Sequence, residues 1–455
     1  MLPMDVSSVF RGKRITVFGL GLLGRAAGDA EFLAECGAIV TVTDKKNEEE
    51  LKESVERLKK YKNISLHLGG HIKEDFTSSD MVIRAAGVRF DAPEVAWAKK
   101  AGVPVYMSTA LCAKYADEAG ARVVGVTGTR GKSTVTHMIH HSLIPACRQA
   151  GAQNVFLGGN VRGVSTLALL PDITFGDIVV LELDSWQLQG FGDLCISPHI
   201  AVFTNFLQDH KNYYKNTDDY FRDKANIFRY QKTNDVLVVG GAIADRVRAE
   251  SPPLDPIVPD SIPRDWKLRV LGEHNRENAS FAVAALQALG VAEDDIRAGL
   301  ESFEGVEGRL QFIREINGVK IYNDNNATTP EATIAALKAL NDNVRPRRSN
   351  IVLILGGADK GLDMDELVEE IKRTCKAVVF IPGTGTEKIK KSKLKNQNAK
   401  LKIIEAGTLQ KALGYALEEA HGGDVILFSP AFASFGMFKN EYDRNDQFLN
   451  IIKTI

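Results

Sequence analysis

Short, continuous apolar segments alternate along this chain with segments in which apolar residues are spaced as in amphipathic helices. This alternation constrains the possible folds more than any other feature of the sequence. Runs of Val, Ile and Leu without intervening polar residues are typical of strands that are buried on both faces of a parallel sheet. Strands of this kind that alternate with helices predict an α/β fold. The segments predicted as strands are 14–19, 38–44, 81–85, 122–127, 177–183, 199–205, 319–324, 350–356, 377–381 and 424–429.

The 455 residues divide into three predicted domains, since a single domain usually has about 100–200 residues. Residues 1–107 begin with a strand–turn–helix unit of the dinucleotide-binding type. Residues 108–305 begin with a second glycine-rich turn and end in a helix near 275–288. Residues 306–455 carry a further set of strands and helices.

Composition excludes several classes of protein. The 57 basic and 58 acidic residues nearly cancel, so no polycationic surface for nucleic acid is indicated. The five cysteines are scattered and match no zinc or disulfide spacing, as in a reduced cytosolic protein. We find neither a signal peptide nor an apolar run of about 18 residues. We therefore expect a soluble, cytoplasmic monomer without nucleic-acid or membrane partners.

The segment 125–134 has the composition of a phosphate-binding loop between a strand and a helix. Glycine-rich turns direct backbone N–H groups toward phosphate oxygens, and the helix that follows adds its positive N-terminal end. Lys132 provides a charge for the β and γ phosphates, and Ser133 or Thr134 provides a hydroxyl for Mg²⁺. Val126 stands where the longer P-loop pattern has glycine. The segment predicts ATP use, and by itself leaves kinase, ATPase and ligase chemistry open.

A second glycine motif, Gly19-Leu-Gly21-Leu-Leu-Gly24, is followed some twenty residues later by Asp44. This spacing is typical of a dinucleotide site, in which an acidic residue bonds ribose hydroxyls. NAD, another diphosphate-linked nucleoside and a purely structural turn remain open on this evidence.

Polar residues also follow several predicted strands at the point where each strand ends. In open parallel sheets, ligands bind outside the carboxyl ends of the strands. The polar residues at these positions are Thr127, Glu182, Asp184, Asp209, His210, Asn323, Asp324, Asp359, Lys360, Ser429 and Ser434. Together they predict a ligand-binding cleft.

Several motifs, taken in order, resemble those of the Mur ligases over essentially the whole chain. They are Gly128-Thr-Arg-Gly-Lys-Ser-Thr134, Gly159-Asn160, Glu182-Leu-Asp-Ser-Trp-Gln187, Asp209-His210, Lys224-Ala-Asn-Ile, His274-Asn275-x-x-Asn278, Asn323-Asp324, Gly356-Gly-Ala-Asp-Lys-Gly361 and Ser429-Pro-Ala-Phe-Ala-Ser434. The resemblance implies a Rossmann-like UDP-binding domain, a central P-loop ATPase-type domain with a parallel sheet, and a Rossmann-like C-terminal domain that binds the amino acid.

The resemblance also implies a reaction. ATP phosphorylates the carboxylate of UDP-N-acetylmuramoyl-L-alanine, and the amine of D-glutamate then attacks the acyl phosphate. Lys132, Glu182, His210 and Lys224 are the implied catalytic residues, and Ser133, Glu182, His210 and Lys224 the implied ligands of two Mg²⁺ ions. Lys224 serves as a ligand only when CO₂ carbamylates it. Without the resemblance, Lys224 reads as an exposed helix residue.

The remaining implied site residues fall into two groups. The ATP-binding positions are Gly128, Thr129, Gly131, Lys132, Ser133, Thr134, Asn160, Asn278, Arg309 and Asp324. The positions for the UDP-linked substrate and the amino acid are Leu22, Leu23, Asp44, Lys45, Gly87, Thr328, Lys360, Ser434 and Tyr442.

Departures from the family pattern keep alternatives open. Asn326 stands where many relatives have a lysine that contacts ATP phosphates, and Leu23 replaces a frequent threonine. A sibling ligase that adds another amino acid, such as L-glutamate, is one alternative. A non-catalytic nucleotide-binding relative is another, although it predicts loss of Lys132 or of the metal ligands. An NAD oxidoreductase leaves Lys132 unexplained.

Overall fold

The structure, a computed structural model, describes residues 6–150, 154–209, 213–342, 350–391 and 401–455. The chain forms two compact units. One comprises Met1–Ile262 and Asn278–Leu300, and the other comprises Pro263–Glu277 and Glu301–Ile455. The first unit contains two sheets and the second contains one sheet.

The N-terminal sheet has five parallel strands in the order β3-β2-β1-β4-β5. Its strands are β1 (Arg14–Phe18), β2 (Ile39–Asp44), β3 (Ile64–Leu68), β4 (Met81–Arg84) and β5 (Val105–Tyr106). The accompanying helices are α1 (Val6–Phe10), α2 (Arg25–Glu35), α3 (Lys52–Leu58), α4 (Lys73–Thr77) and α5 (Pro93–Lys100). The next helix, α6 (Ser108–Glu118), packs on the central sheet. The turn between β1 and α2 carries the first glycine motif.

The central sheet also has five parallel strands, in the order β10-β9-β6-β8-β7. Its strands are β6 (Arg122–Thr127), β7 (Val155–Gly159), β8 (Ile178–Glu182), β9 (Ile200–Phe203) and β10 (Val236–Val239). The helices are α7 (Lys132–Ala150), α8 (Ser185–Leu194), α9 (Thr217–Ala225), α10 (Ala244–Ala249), α11 (Glu273–Ala288) and α12 (Glu293–Ser302). Two 3₁₀ turns lie at Leu167–Asp172 and Gly241–Ile243.

The third sheet has six strands in the order β11-β12-β16-β13-β14-β15, and only β11 is antiparallel to its neighbour. Its strands are β11 (Gln311–Ile316), β12 (Val319–Asn323), β13 (Ile351–Leu355), β14 (Cys375–Phe380), β15 (Lys402–Glu405) and β16 (Val425–Phe428). The helices are α13 (Pro330–Asp342), α14 (Asp365–Thr374), α15 (Thr384–Lys391), α16 (Leu409–Glu419) and α17 (Glu441–Lys453).

The structure confirms the α/β prediction, and all ten predicted strands are present with ends within about two residues. The strands that the sequence did not reveal are β3, β5, β7, β10, β11 and β15, which are the edge strands of the three sheets. Edge strands have one unpaired side and only partly buried faces. The sequences of β3, β11 and β15 therefore lack the continuous apolar run of an interior strand, whereas β10 (Val-Leu-Val-Val) has such a run of only four residues and was also missed.

None of the described helices combines the length and the apolar composition that crossing a lipid bilayer requires.

Candidate active site

The segment between β6 and α7 forms a turn that only glycine fits at two positions. Gly128 has φ 146° and Gly131 has φ 82°, which are backbone conformations that side chains disfavour. A Cβ on Gly128 would lie 2.0 Å from Thr204 Oγ1, and one on Gly131 would lie 2.4 Å from Asn278 Oδ1. Side chains are therefore excluded at both positions, and a backbone without side chains can approach phosphate oxygens closely, as a phosphate cradle requires.

The residues that follow β9 hold this turn in place. The amide of Thr129 donates to Asn205 O (3.0 Å), and the amide of Arg130 donates to Asn205 Oδ1 (2.8 Å). The Thr129 hydroxyl in turn accepts from the amide of Leu207 (2.9 Å). Backbone and side-chain bonds thus fix the turn before any ligand binds, which lowers the entropy cost of binding.

Lys132 is the first residue of α7, and its ammonium lies over the turn. Its Nζ donates to the carbonyls of Gly128 (3.0 Å) and Thr129 (3.2 Å). Ser133 and Thr134 are buried in the first turn of the same helix. The structure therefore brings together a cation, hydroxyls and a helix N-terminus on one glycine-rich turn, which is an arrangement suited to phosphate oxygens.

Lys224 lies on α9 and is buried, with 1% of its surface exposed, so it is not an exposed helix residue. Its Nζ donates to the Gly128 carbonyl (2.9 Å) and contacts Thr127 Oγ1 (3.3 Å). Burial, and next the nearby charge of Lys132, hold the pKa of Lys224 well below its ordinary value. Both effects favour the neutral form of this amine, which lies against the phosphate-type turn.

Glu182 ends β8, beside the strand that leads into the turn, with Val126 as its register partner on β6. Its carboxylate is buried and accepts from Asn160 Nδ2 (3.3 Å). Gly159, which precedes Asn160, has φ 86°, and a Cβ there would lie 2.1 Å from Glu182 O. Only glycine therefore permits this close pairing at the end of β7 and β8.

Asp44, at the end of β2, bonds the first glycine motif. Its carboxylate accepts from the amides of Leu20 (2.8 Å) and Gly21 (3.1 Å). The second oxygen accepts from the amide of Lys46 (2.9 Å). This bonding fixes the turn between β1 and α2.

A cavity of about 510 Å³ lies beside that turn, which is within the usual size range of small-molecule sites. Its lining residues are Phe18, Gly19, Asp44, Lys45, His71, Gly87, Val88, Arg89, Asp91, Ala92 and Pro93. The structure thus brings three of the predicted UDP-side residues, Asp44, Lys45 and Gly87, to one pocket. Leu22 and Leu23 are not among its lining residues, and Leu22 is exposed.

In the second compact unit, Asp324 follows β12 and is buried. Its carboxylate accepts from Ser429 Oγ (2.8 Å) and from the amide of Leu310 (3.0 Å). Burial raises its pKa to about 7, and these bonds and the charge of Arg309 act in the opposite direction. Arg309 and Asp324, both predicted on the ATP side, therefore interact electrostatically.

The predicted amino-acid residues include one direct pair, because Lys360 Nζ donates to Thr328 Oγ1 (2.9 Å). Ser434 is buried, and Tyr442 lies in the first turn of α17, where its amide donates to Asn440 Oδ1 (3.0 Å).

Sequence reasoning missed Arg444, a fully buried guanidinium on α17. It donates to Asn325 Oδ1 and O (2.8 Å each) and to Phe432 O (3.2 Å). Burial lowers its pKa to about 10. Arg444 therefore joins the segment after β12 to the segment after β16, which carry Thr328 and Ser434. An arginine in a polar stretch of helix gives no sequence signal for such a role.

The donor set can be compared with the requirements of Mg²⁺. Within the described ranges, no group of three or more His, Cys, Asp or Glu side chains surrounds one point, and His210 lies outside those ranges. Mg²⁺ usually takes one or two protein carboxylates together with substrate phosphates and water. The buried carboxylate of Glu182 and the Ser133 hydroxyl are oxygen donors that fit this mode.

In a comparison with protein families, the segment that forms each of the three sheets matches a different domain model of one family. Residues 13–107 match the "Mur ligase MurD-like, N-terminal domain", 126–252 the "Mur ligase middle domain", and 308–432 the "Mur ligase, glutamate ligase domain".

Solved structures of related ligases share the fold. The UDP-N-acetylmuramate-alanine ligase of Thermotoga maritima is 20% identical, with a TM-score of 0.62 over 97% of this chain and 99% of that one. The MurF ligase of Thermotoga maritima, solved in complex with ADP, is 17% identical, with a TM-score of 0.58 over 98% and 96%.

Curated relatives match along nearly their whole length. A protein of Roseiflexus sp. (strain RS-1) named UDP-N-acetylmuramoylalanine--D-glutamate ligase is 34% identical over 97% of this chain and 99% of its own length. A protein of the same name from Borreliella burgdorferi (strain ZS7) is 32% identical over 96% and 97%. This chain, with its phosphate-type turn, its strand-end carboxylate and its three α/β sheets, therefore belongs to the Mur ligase family.

Proposed function

We propose that the protein is an ATP-dependent ligase that joins D-glutamate to UDP-N-acetylmuramoyl-L-alanine in peptidoglycan precursor synthesis, with release of ADP and phosphate. The observation that carries this proposal is the convergence of Lys132 and buried Lys224 on one glycine turn beside Glu182. Relatives that match the chain from end to end are named for the same reaction.

In the first step, a carboxylate oxygen of the UDP-linked substrate attacks the γ phosphorus of ATP, and ADP leaves. Phosphoryl transfer depends mainly on positioning and on neutralising charge. Gly128, Gly131 and the N-terminal end of α7 hold phosphate oxygens, and Lys132 moves from the loop carbonyls to the phosphates. We assign Thr129, Ser133, Thr134 and Asn278 to the same nucleotide, with Arg309 and Asp324 on its nucleoside side.

In the second step, the amine nitrogen of D-glutamate attacks the acyl carbon, loses a proton, and phosphate leaves. A dicarboxylate needs charged or hydrogen-bonding partners, which Lys360, Thr328, Ser434 and Tyr442 supply in this assignment. The Lys360–Thr328 bond supports it, because both groups are already held together.

Mg²⁺ would be held by Glu182 and Ser133, with His210 and a carbamylated Lys224 as ligands of a second ion, and it would neutralise the charge that develops on the phosphates. The buried carboxylate at the end of β8 supports the first of these sites.

We further propose that CO₂ adds to the neutral amine of Lys224, which loses a proton and becomes a carbamate. The burial of Lys224 and its lowered pKa support this step, since only the neutral amine reacts. Incubation with ¹³CO₂ should give a carbamate ¹³C signal that Lys224→Ala removes. An active preparation whose Lys224 is unmodified and solvent-facing would overturn the carbamate.

The UDP moiety is assigned to the pocket beside the first glycine motif. Asp44, Lys45 and Gly87 support this assignment because they line that pocket together. Leu22 and Leu23 remain assigned to the UDP substrate, although they are not among the residues that line this pocket. We propose that residues 1–107 bind the UDP substrate, that residues 108–305 bind ATP, and that residues 306–455 bind the amino acid. The partners are small molecules, and we expect the protein to sediment as a monomer.

The deciding experiment measures phosphate release from ATP with UDP-N-acetylmuramoyl-L-alanine and a panel of amino acids. Release with D-glutamate alone is the expected result. Release with L-glutamate or another amino acid would replace the proposed substrate, and no release with any amino acid would refute ligase activity.

A further inference from the structure

Arg25 is the first residue of α2, directly after the glycine motif of the UDP-binding turn. Its Nη1 donates to Asn160 Oδ1 at 2.7 Å, across 135 positions of the sequence. Asn160 follows the end of β7 in the central sheet and bonds Glu182. The guanidinium of Arg25, on a helix beside the N-terminal sheet, therefore bonds a residue that lies beside the phosphate-type turn of the central sheet.

The start of α2 is fixed against the central sheet by close packing. A Cβ on Gly28 would lie 2.7 Å from the Cβ of Ser165, so the helix and this segment are in direct contact. Ser165 Oγ also donates to Asp29 Oδ1 at 2.6 Å. Arg25, one turn before Asp29, is thus held in position by the helix that carries it.

The chemistry of the two side chains sets the orientation of the Asn160 amide. A guanidinium only donates hydrogen bonds, so it pairs with the amide oxygen and not with the nitrogen. The NH₂ group then points away from Arg25 and donates to Glu182 Oε1 (3.3 Å). Without Arg25, rotation of the amide by 180° would present its oxygen to the Glu182 carboxylate and repel it.

We propose that Arg25 is a positioning residue of the ligase reaction, which orients Asn160 so that Asn160 in turn orients Glu182. The proposal rests on the function proposed above, since it takes Glu182 to be a metal-binding carboxylate. It also connects the turn that is assigned to the UDP substrate with the assigned metal ligand through two hydrogen bonds.

The first test compares Arg25→Leu and Arg25→Lys with the wild type in steady-state phosphate release. Loss of a charge-assisted hydrogen bond should lower kcat by about tenfold or more in R25L. The KM for D-glutamate should stay within about threefold, because Arg25 is not assigned to that substrate. Lysine keeps one cationic donor and should restore most of the rate. Arg14→Leu removes an exposed arginine of the same sheet and should leave the rate unchanged.

The second test asks whether Arg25 acts through Asn160. In an Asn160→Ala background, R25L should cause no further loss of kcat, because the group that it orients is already absent. An undiminished effect of R25L in that background would overturn the proposal, as would wild-type rates in R25L. A loss that merely follows a lowered Tm would show a structural role instead and would also overturn it.

The third readout does not depend on turnover. Binding of Mn²⁺ with a non-hydrolysable ATP analogue, followed by electron paramagnetic resonance, should weaken by about fivefold or more in R25L and recover in R25K. Unchanged Mn²⁺ affinity would overturn the proposal. A wild type that binds Mn²⁺ with this R25L dependence but releases no phosphate would refute the ligase function and leave the positioning role standing.

Discussion

Replacement of Asp29 by asparagine should stabilise the protein relative to the wild type, and this gain should be larger at neutral pH than at acid pH. Asp29 lies in α2 and is buried against the central sheet, where Ser165 donates to it. Burial raises its pKa from 3.8 to about 6, against the opposing effect of the bonds from Ser165 and Ser108. The ionised carboxylate therefore costs stability, whereas asparagine carries no charge at any pH.

The sign follows from proton linkage. A carboxyl whose pKa is higher in the folded protein holds its proton more tightly when folded. The stability that it supports is complete below the unfolded value of 3.8 and is lost as the pH rises to about 6. One pKa unit corresponds to about 1.4 kcal/mol, so D29N should gain about 2 kcal/mol on the wild type between pH 4.5 and pH 7.5.

Thermal unfolding of both proteins at these two pH values measures the effect. For a unit of this size the gain corresponds to a Tm difference that grows by roughly 5 °C from the lower to the higher pH. Asp80→Asn is the matched control, because the Arg14 amide lowers the pKa of Asp80 below 3.8, so its contribution hardly changes between these two pH values and its Tm difference should stay nearly constant. A D29N difference that is equal at both pH values would refute the assignment of a raised pKa to Asp29.

Three further substitutions test the proposed site. Lys132→Ala should abolish phosphate release yet leave calorimetric binding of the UDP substrate largely intact, and equal loss of both would contradict separate sites for the two nucleotides. Gly159→Ala should lower kcat by about a hundredfold, because φ 86° and the 2.1 Å approach to Glu182 O force β7 and β8 apart at Glu182, the proposed metal ligand. A near-normal rate in G159A would show that the alignment of Glu182 is unimportant. Lys360→Met should raise the KM for D-glutamate by about tenfold or more with a smaller change in kcat, and an unchanged KM would remove Lys360 and its partner Thr328 from that site.

Local physical rules explain why the sequence predicts so much of the fold. Interior strands such as β6 and β13 are buried on both faces, so their apolar runs are continuous and visible without a partner. Edge strands such as β15 are partly exposed and carry mixed residues, and all six escaped prediction. The phosphate-type turn was visible because it needs glycine at positions such as Gly128 and Gly131, whose backbone angles and close contacts exclude side chains.

The sequence by itself determined the α/β class, the glycine turn with Lys132, and the carboxylate at the end of β8, because these depend on residues that are neighbours along one element. Only the tertiary structure decided that Lys224 is buried on the turn, that Arg25 reaches Asn160, and that Leu22 lies outside the pocket lined by Asp44. The physical reason is that burial and hydrogen bonding depend on which elements pack together. That packing sums contacts from distant parts of the chain, and no local periodicity records it.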